Sequence, residues 1–182
     1  MDGTCKNTPY RIISFPLRIM KPLLDLNRRF LHQAMHLLGE IDLETYVNPC
    51  SEVFSSTIGQ HIRHCVEHYE EFVAALRKNR EVDYDKRPRD LHLETDITEA
   101  IARLRKIRDE FSLLNESCKP LQVRDCEVDI VSASSICREL QFLVSHTVHH
   151  FALISVIAGL NGVRTPEDFG IAPSTLKARQ TI

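Results

Sequence analysis

Residues 134–160 read SSICRELQFLVSHTVHHFALISVIAGL and carry the strongest fold signal in the chain. Apolar side chains recur almost all the way round a helix drawn through this stretch, which is typical of a helix packed on several sides. Asn161-Gly162 follows as a stop signal. We therefore predict one long core helix here, with the rest of the protein built around it.

Three further stretches have the 3–4 spacing of apolar residues that marks an amphipathic helix. Ser55 or Ser56 could cap the second stretch, and Asp96 with Glu99 makes a capping-box-like start for the third. The predicted helices therefore span residues 22–38, 57–79, 97–114 and 134–160.

The connections are of modest length, which favours an antiparallel four-helix bundle. We expect a charged loop at 81–90 and a short hairpin or irregular connection at 115–129. The prediction is an all-α protein with one domain over 1–182. Its core runs from about residue 16 to 162, and an irregular tail covers 163–182.

Charge and composition exclude several function classes. The 182 residues carry a formal net charge of -2, so a broad nucleic-acid surface and a polybasic membrane tether are not expected. No export signal and no uninterrupted membrane span are evident, which predicts a cytoplasmic protein. The six cysteines form no C-x-x-C pair, so free thiols in a reducing cytosol are the simplest expectation.

Histidines are the unusual feature of the long core helix. His146 and His150 are four residues apart and differ by only about 40° around a helix, so they project side by side within the apolar arc. Two imidazoles among apolar side chains are unfavourable unless something pairs with them. A shared divalent metal ion would do so. His149 points about a quarter-turn away.

Spacing alone leaves other interpretations open. His32 and His36 have the same spacing, and we expect them to be structural or exposed. A metal site also needs a third ligand, and residues 57–79 offer His61, His64 and His68. Periodicity favours His61 or His68, because His64 lies at the edge of the apolar stripe. A plain helical bundle with incidental histidines is the alternative to any metal site.

The segment TIGQHIRHCVEHY at 57–69, followed later by HTVHH at 146–150, resembles the DinB/YfiT-like superfamily. The resemblance implies a four-helix bundle with a three-histidine metal site. Placed on this chain, the ligands are His64, His146 and His150, with Glu67 at the acidic position of the motif. His61 is the alternative to His64.

The same resemblance implies a function and its partners. The reaction would be that of a thiol transferase or isomerase using a low-molecular-weight thiol, or a metal-dependent hydrolysis. The alternative is a non-catalytic metal- or ligand-binding bundle, or a dimerisation module. We expect zinc or nickel as the ion, a small-molecule substrate and a homodimer. No general base is evident: Glu139 could orient a ligand, or be a charge in the first turns of its helix.

Overall fold

The computed structural model describes residues 20–49, 55–114 and 118–181. Its helices and strands are, in chain order, α1 (Met20–Glu40), α2 (Leu43–Val47), α3 (Ile58–Lys78), a 3-10 turn (Leu91–Glu94), α4 (Ile97–Leu113), β1 (Pro120–Asp125), β2 (Ile130–Ser135), α5 (Ile136–Leu160) and α6 (Pro173–Arg179). Cys5, Cys50 and the predicted start of the core near residue 16 lie outside the described residues.

The four long helices form the predicted bundle. Helices α1 and α3 each pack against both α4 and α5, so the two pairs alternate around one core. Four buried phenylalanines fill its centre, with the rings of Phe30 and Phe151 meeting edge to face at 6.0 Å. The others are Phe72 and Phe111. The all-α, four-helix prediction is confirmed.

Local capping explains where α3 begins and ends. The Thr57 hydroxyl accepts from the backbone N–H of Gln60, and the Gln60 side chain accepts from the Thr57 N–H, so Thr57 is the cap and neither Ser55 nor Ser56 is. Asn79 closes the helix in the left-handed conformation, with φ of 48°. These caps fix the residues at which α3 begins and ends, and all three α3 histidines lie between them.

A two-stranded antiparallel hairpin precedes α5. Its register pairs Pro120 with Ser135 and Asp125 with Ile130. Of the two alternatives predicted for 115–129, the structure has the hairpin, but β2 lies beyond that range and extends to Ser135, so α5 begins two residues later than the predicted start. Val82, in the loop after α3, bridges to Val123 of β1 and thereby fixes that loop against the hairpin.

The free-thiol prediction is wrong for one pair of cysteines. Cys118 and Cys137 form a disulfide with their Cα atoms 5.2 Å apart, inside the usual range. They are distant in sequence, but the hairpin register brings its two ends together. Cys65 and Cys126 are free, and Cys65 is buried in the core, as its position on the apolar stripe predicts.

Helix α5 is packed less completely than predicted. Its buried residues recur at 3–4 spacing, whereas Val156 and Leu160 on the opposite side are 52% and 61% exposed. By length and composition alone, α5 is the one helix among the described residues that could cross a membrane. The core helix of a water-soluble bundle meets the same criteria.

The tail docks on α5 through one aromatic contact. Phe169 is buried, and its ring stacks on that of Phe151 with centroids 4.5 Å apart. Gly170 follows with φ of 69°, and a Cβ there would meet the backbone of Ala152 at 2.5 Å. Only glycine combines this conformation with this close approach.

We expect Gly170→Ala to destabilise the protein by about 1–2 kcal/mol, the usual cost of a left-handed residue with a Cβ. Urea unfolding followed by circular dichroism measures the change. Gly39→Ala is the control, because Gly39 lies in α1 and a Cβ added there would have nothing within 4 Å. Equal stability of the two variants would contradict a fixed position for the tail.

Candidate metal site

Five histidines from two facing helices converge at one place in the bundle. Helix α3 supplies three and α5 supplies two, and most of their ring centroids lie 3.9–5.2 Å from a neighbouring ring. The five are His61, His64, His68, His146 and His150. The α3–α5 contact therefore unites the α5 pair with every candidate third ligand from the sequence.

Three of these rings approach one another through their Nε2 atoms. The Nε2 atom of His146 is 3.1 Å from Nε2 of His64 and 3.2 Å from Nε2 of His150. A tetrahedral zinc ion with its usual bond lengths holds ligand nitrogens about 3.3 Å apart. The two separations are close to that value, so His146 and each of these two neighbours are spaced like ligands of one divalent ion.

Hydrogen bonding alone does not account for the cluster. In the described part of the chain, the buried Nδ1 of His146 and the buried Nε2 of His61 have no hydrogen-bond partner. None of the five rings pairs with a carboxylate among the described residues. Buried imidazole nitrogens without partners are unfavourable, so the described protein groups leave the hydrogen-bonding capacity of the cluster unsatisfied.

The remaining two imidazoles lie deeper. His61 is 9% and His68 is 5% exposed, whereas His64, His146 and His150 are half-buried. The Nδ1 of His68 lies 2.7 Å from the carbonyl oxygen of His64 and donates to it, which leaves Nε2 with a free lone pair. Ligand atoms of His64, His68 and His146 all lie within 4.8 Å of one another. Two overlapping trios therefore share His64 and His146.

Burial keeps these imidazoles neutral. It is the main cause that lowers the pKa of His64 to about 2, of His68 and His150 to about 3, and of His146 to about 4. Neighbouring imidazoles and the Arg87 guanidinium lower these pKa values further. Neutral imidazole is the form that binds a metal ion.

These pKa values predict that the metal-free protein loses stability in mild acid. Unfolded histidine has a pKa near 6.5, so below that pH the unfolded chain binds more protons than the folded one. The contribution is present above about pH 6.5 and is lost as the pH falls towards 4. We expect the urea midpoint, measured with chelator, to fall between pH 7 and pH 5. His150→Gln should lessen the fall, and a midpoint that is equally pH-dependent in the variant would contradict this assignment.

An aromatic wall closes one side of the cluster. The ring of Tyr84 stacks on His68 with centroids 5.3 Å apart, and Phe142 stacks on His146 at 5.5 Å. The Tyr84 hydroxyl donates to Glu139, which also accepts from Ser134 at 2.6 Å. Glu139 is thus a buried residue of the first turns of α5 that positions Tyr84, and it touches none of the imidazoles.

Arg87 reaches the site from the loop after α3. Its Nη1 lies 2.9 Å from Nδ1 of His64 and 3.2 Å from Nδ1 of His68. The Glu67 carboxylate, fully buried, accepts from the Asp90 N–H at 2.6 Å and from Arg63 at 3.2 Å. Glu67 therefore fixes the end of the loop that carries Arg87.

Sequence reasoning missed Arg87 and Tyr84. They belong to a charged segment with no periodic pattern, and the Val82 bridge to the hairpin and the Glu67–Asp90 hydrogen bond place them at the site. The exposed histidines are as expected: His32, His36 and His149 all face solvent. His92, near the 3-10 turn, is exposed too.

Comparison with known families agrees with this arrangement. The family model of the DinB superfamily matches residues 24–154, which is more than half of the chain and contains all five clustered histidines. The chain belongs to the DinB superfamily. The matched span runs from α1 into α5, so the tail after α5 lies outside it.

One curated relative is a part-length match. The chain is 34% identical over 105 residues to FK506-binding protein 5 of Rhizopus delemar, which covers 53% of this chain and 27% of that protein. The DinB-superfamily chain therefore spans about a quarter of the length of this relative. No solved structure matches this chain.

Proposed function

We propose that this protein binds one divalent metal ion, zinc or nickel, through His64, His146 and His150, and that it is a metal-dependent transferase, isomerase or hydrolase. The observation that carries the proposal is the pair of Nε2 separations, 3.1 and 3.2 Å, that centre on His146. Membership of the DinB superfamily supports it, since the three residues match the positions that the motif implies.

Exposure favours the set of His64, His146 and His150 over sets that contain His61 or His68. A catalytic site keeps a coordination position open to substrate. His150 is half-buried like His64 and His146, whereas His68 and His61 are buried and His68 lies behind Tyr84. The three half-buried imidazoles are thus the members of the cluster most exposed to solvent.

The ion, when bound, would supply a Lewis acid that polarises a substrate group. The chain's own contribution is to hold three neutral imidazoles and to exclude water on the side that Tyr84 and Phe142 cover. We propose that the substrate is a small molecule, with a low-molecular-weight thiol as co-substrate, and that the protein acts as a cytoplasmic homodimer.

A second function, metal or ligand binding without catalysis, is favoured by one observation. Two carboxylates near the cluster are already engaged, Glu67 by Arg63 and the Asp90 N–H, and Glu139 by Tyr84 and Ser134. Neither is free to act as a general base.

If the site does catalyse a reaction, the substrate would therefore have to bring its own nucleophile, such as a thiolate.

Two measurements test the proposal. Elemental analysis of protein purified without a histidine tag should give about one zinc or nickel ion per chain, and metal content near zero would refute the metal site. Turnover of electrophilic small molecules with a low-molecular-weight thiol should occur and should stop on addition of chelator. Bound metal with no turnover across thiol, ester and amide substrates would favour the binding function.

A further inference from the structure

We propose that Arg87 is an anion-binding residue at the histidine site, and that its guanidinium binds the carboxylate group of a small-molecule ligand. The inference rests on the proposed metal site and deepens it by naming the substrate class. It starts from the contact between Arg87 and His64, which is 2.9 Å from Nη1 to Nδ1.

This contact fixes the hydrogen positions on His64. The guanidinium is only a donor, so Nδ1 must accept, and the single hydrogen of a neutral imidazole then sits on Nε2. Nε2 donates in turn to Nε2 of His146, 3.1 Å away. An imidazole that binds an ion through Nε2 carries its hydrogen on Nδ1, where it would face the donor of Arg87. Metal binding by His64 and its hydrogen bond with Arg87 therefore exclude one another.

In the described part of the chain, no neighbouring group lies within hydrogen-bond distance of Nη1 with a lone pair to accept its hydrogen once His64 binds an ion. His68 already donates its Nδ1 hydrogen to the carbonyl of His64, so it cannot accept from Arg87. The carboxylate of Glu67 is 3.9 Å from Nη1 and is held by Arg63 and the Asp90 N–H. Nε of Arg87 donates to the Tyr84 carbonyl, which keeps the side chain at the site.

Charge points to an anion as the missing acceptor. Neutral imidazoles leave the two positive charges of an ion uncompensated, and the guanidinium, which faces the Glu67 carboxylate only at 3.9 Å, adds positive charge beside it. Like charges at such distances repel unless an anion lies between them. Nη2 of Arg87 makes no hydrogen bond within the described residues, so two parallel N–H groups become available. That fork matches the two oxygens of a carboxylate.

Anion titrations of the cobalt(II)-loaded protein test the inference, since visible absorption of the ion reports ligands that enter the site. The probes are sodium acetate and, as a neutral match of the same shape, acetamide. We expect acetate to bind to R87Q at least about tenfold more weakly than to the wild type, because loss of a charge-assisted hydrogen bond usually costs that much. Acetamide binding should not change. Cobalt itself should bind R87Q more tightly, because a competitor for His64 has been removed.

The other possible outcomes would refute the metal site, the anion site or its choice of ligand. If R87Q holds cobalt and binds acetate as the wild type does, the anion site is refuted while the metal site stands. If the wild type binds no cobalt, both proposals fail together. If R87Q does not fold, R87K decides: it keeps the charge without the fork, so unchanged acetate affinity refutes the bidentate site. Tighter binding of inorganic phosphate than of acetate would refute the carboxylate assignment.

Discussion

Replacing His146 with alanine is expected to weaken zinc binding at least about a hundredfold. Loss of a mere hydrogen-bond partner of a metal ligand costs up to that much, and His146 is proposed as a ligand itself. It is also the member that the other two approach, with Nε2 separations of 3.1 Å to His64 and 3.2 Å to His150. Competition with a zinc-binding dye measures the affinity.

His149→Ala is the matched control for this experiment. His149 is exposed and adjoins His150, with ring centroids 5.1 Å apart, yet it belongs to neither trio. We expect it to bind zinc as the wild type does. His150→Ala and His68→Ala distinguish the two trios: the proposed site requires the larger loss in His150→Ala. A larger loss in His68→Ala would show that His68, and not His150, completes the ligand set with His64 and His146.

The α5 pair could be predicted because it depends on a single helix. Four-residue spacing brings His146 and His150 together on any α-helix, and the apolar neighbours place them towards the core. The third ligand could not be chosen in this way. It depends on the rotation of α3 against α5, which follows from the packing of the whole bundle. Periodicity correctly ranked His61 and His68 as more buried than His64. A site at the mouth of a bundle, however, needs the less buried residue.

Contacts that depend on loop path were beyond sequence reasoning. Arg87 and Tyr84 lie in a segment whose charges predict only a solvated loop, and the Val82 bridge and the Glu67–Asp90 hydrogen bond bring them to the imidazoles. The Cys118–Cys137 disulfide is a similar case, because hairpin register decides it and no local spacing signals it.

Asn27→Ala is expected to destabilise the protein by about 3 kcal/mol, since it breaks several buried hydrogen bonds at once. Asn27 is fully buried in α1, and its amide donates to the carbonyl oxygens of Leu23 at 2.8 Å and Leu140 at 3.2 Å. Its oxygen accepts from the Tyr69 hydroxyl at 2.9 Å, which in turn accepts from Thr147 at 3.1 Å. Alanine would leave the Tyr69 hydroxyl without its acceptor inside the core. Urea unfolding measures the change.

A double-mutant cycle separates this network from simple loss of packing. Tyr69→Phe removes only the hydroxyl between Asn27 and Thr147, so we expect a loss of about 1–2 kcal/mol. Once Asn27 is alanine, the hydroxyl has already lost its acceptor, and adding Tyr69→Phe should cost much less than in the wild type. Additive losses would show that the two side chains stabilise the core independently. Thr147 adjoins His146 in α5, so a coupled network would tie the position of the proposed metal ligand His146 to the junction of α1, α3 and α5.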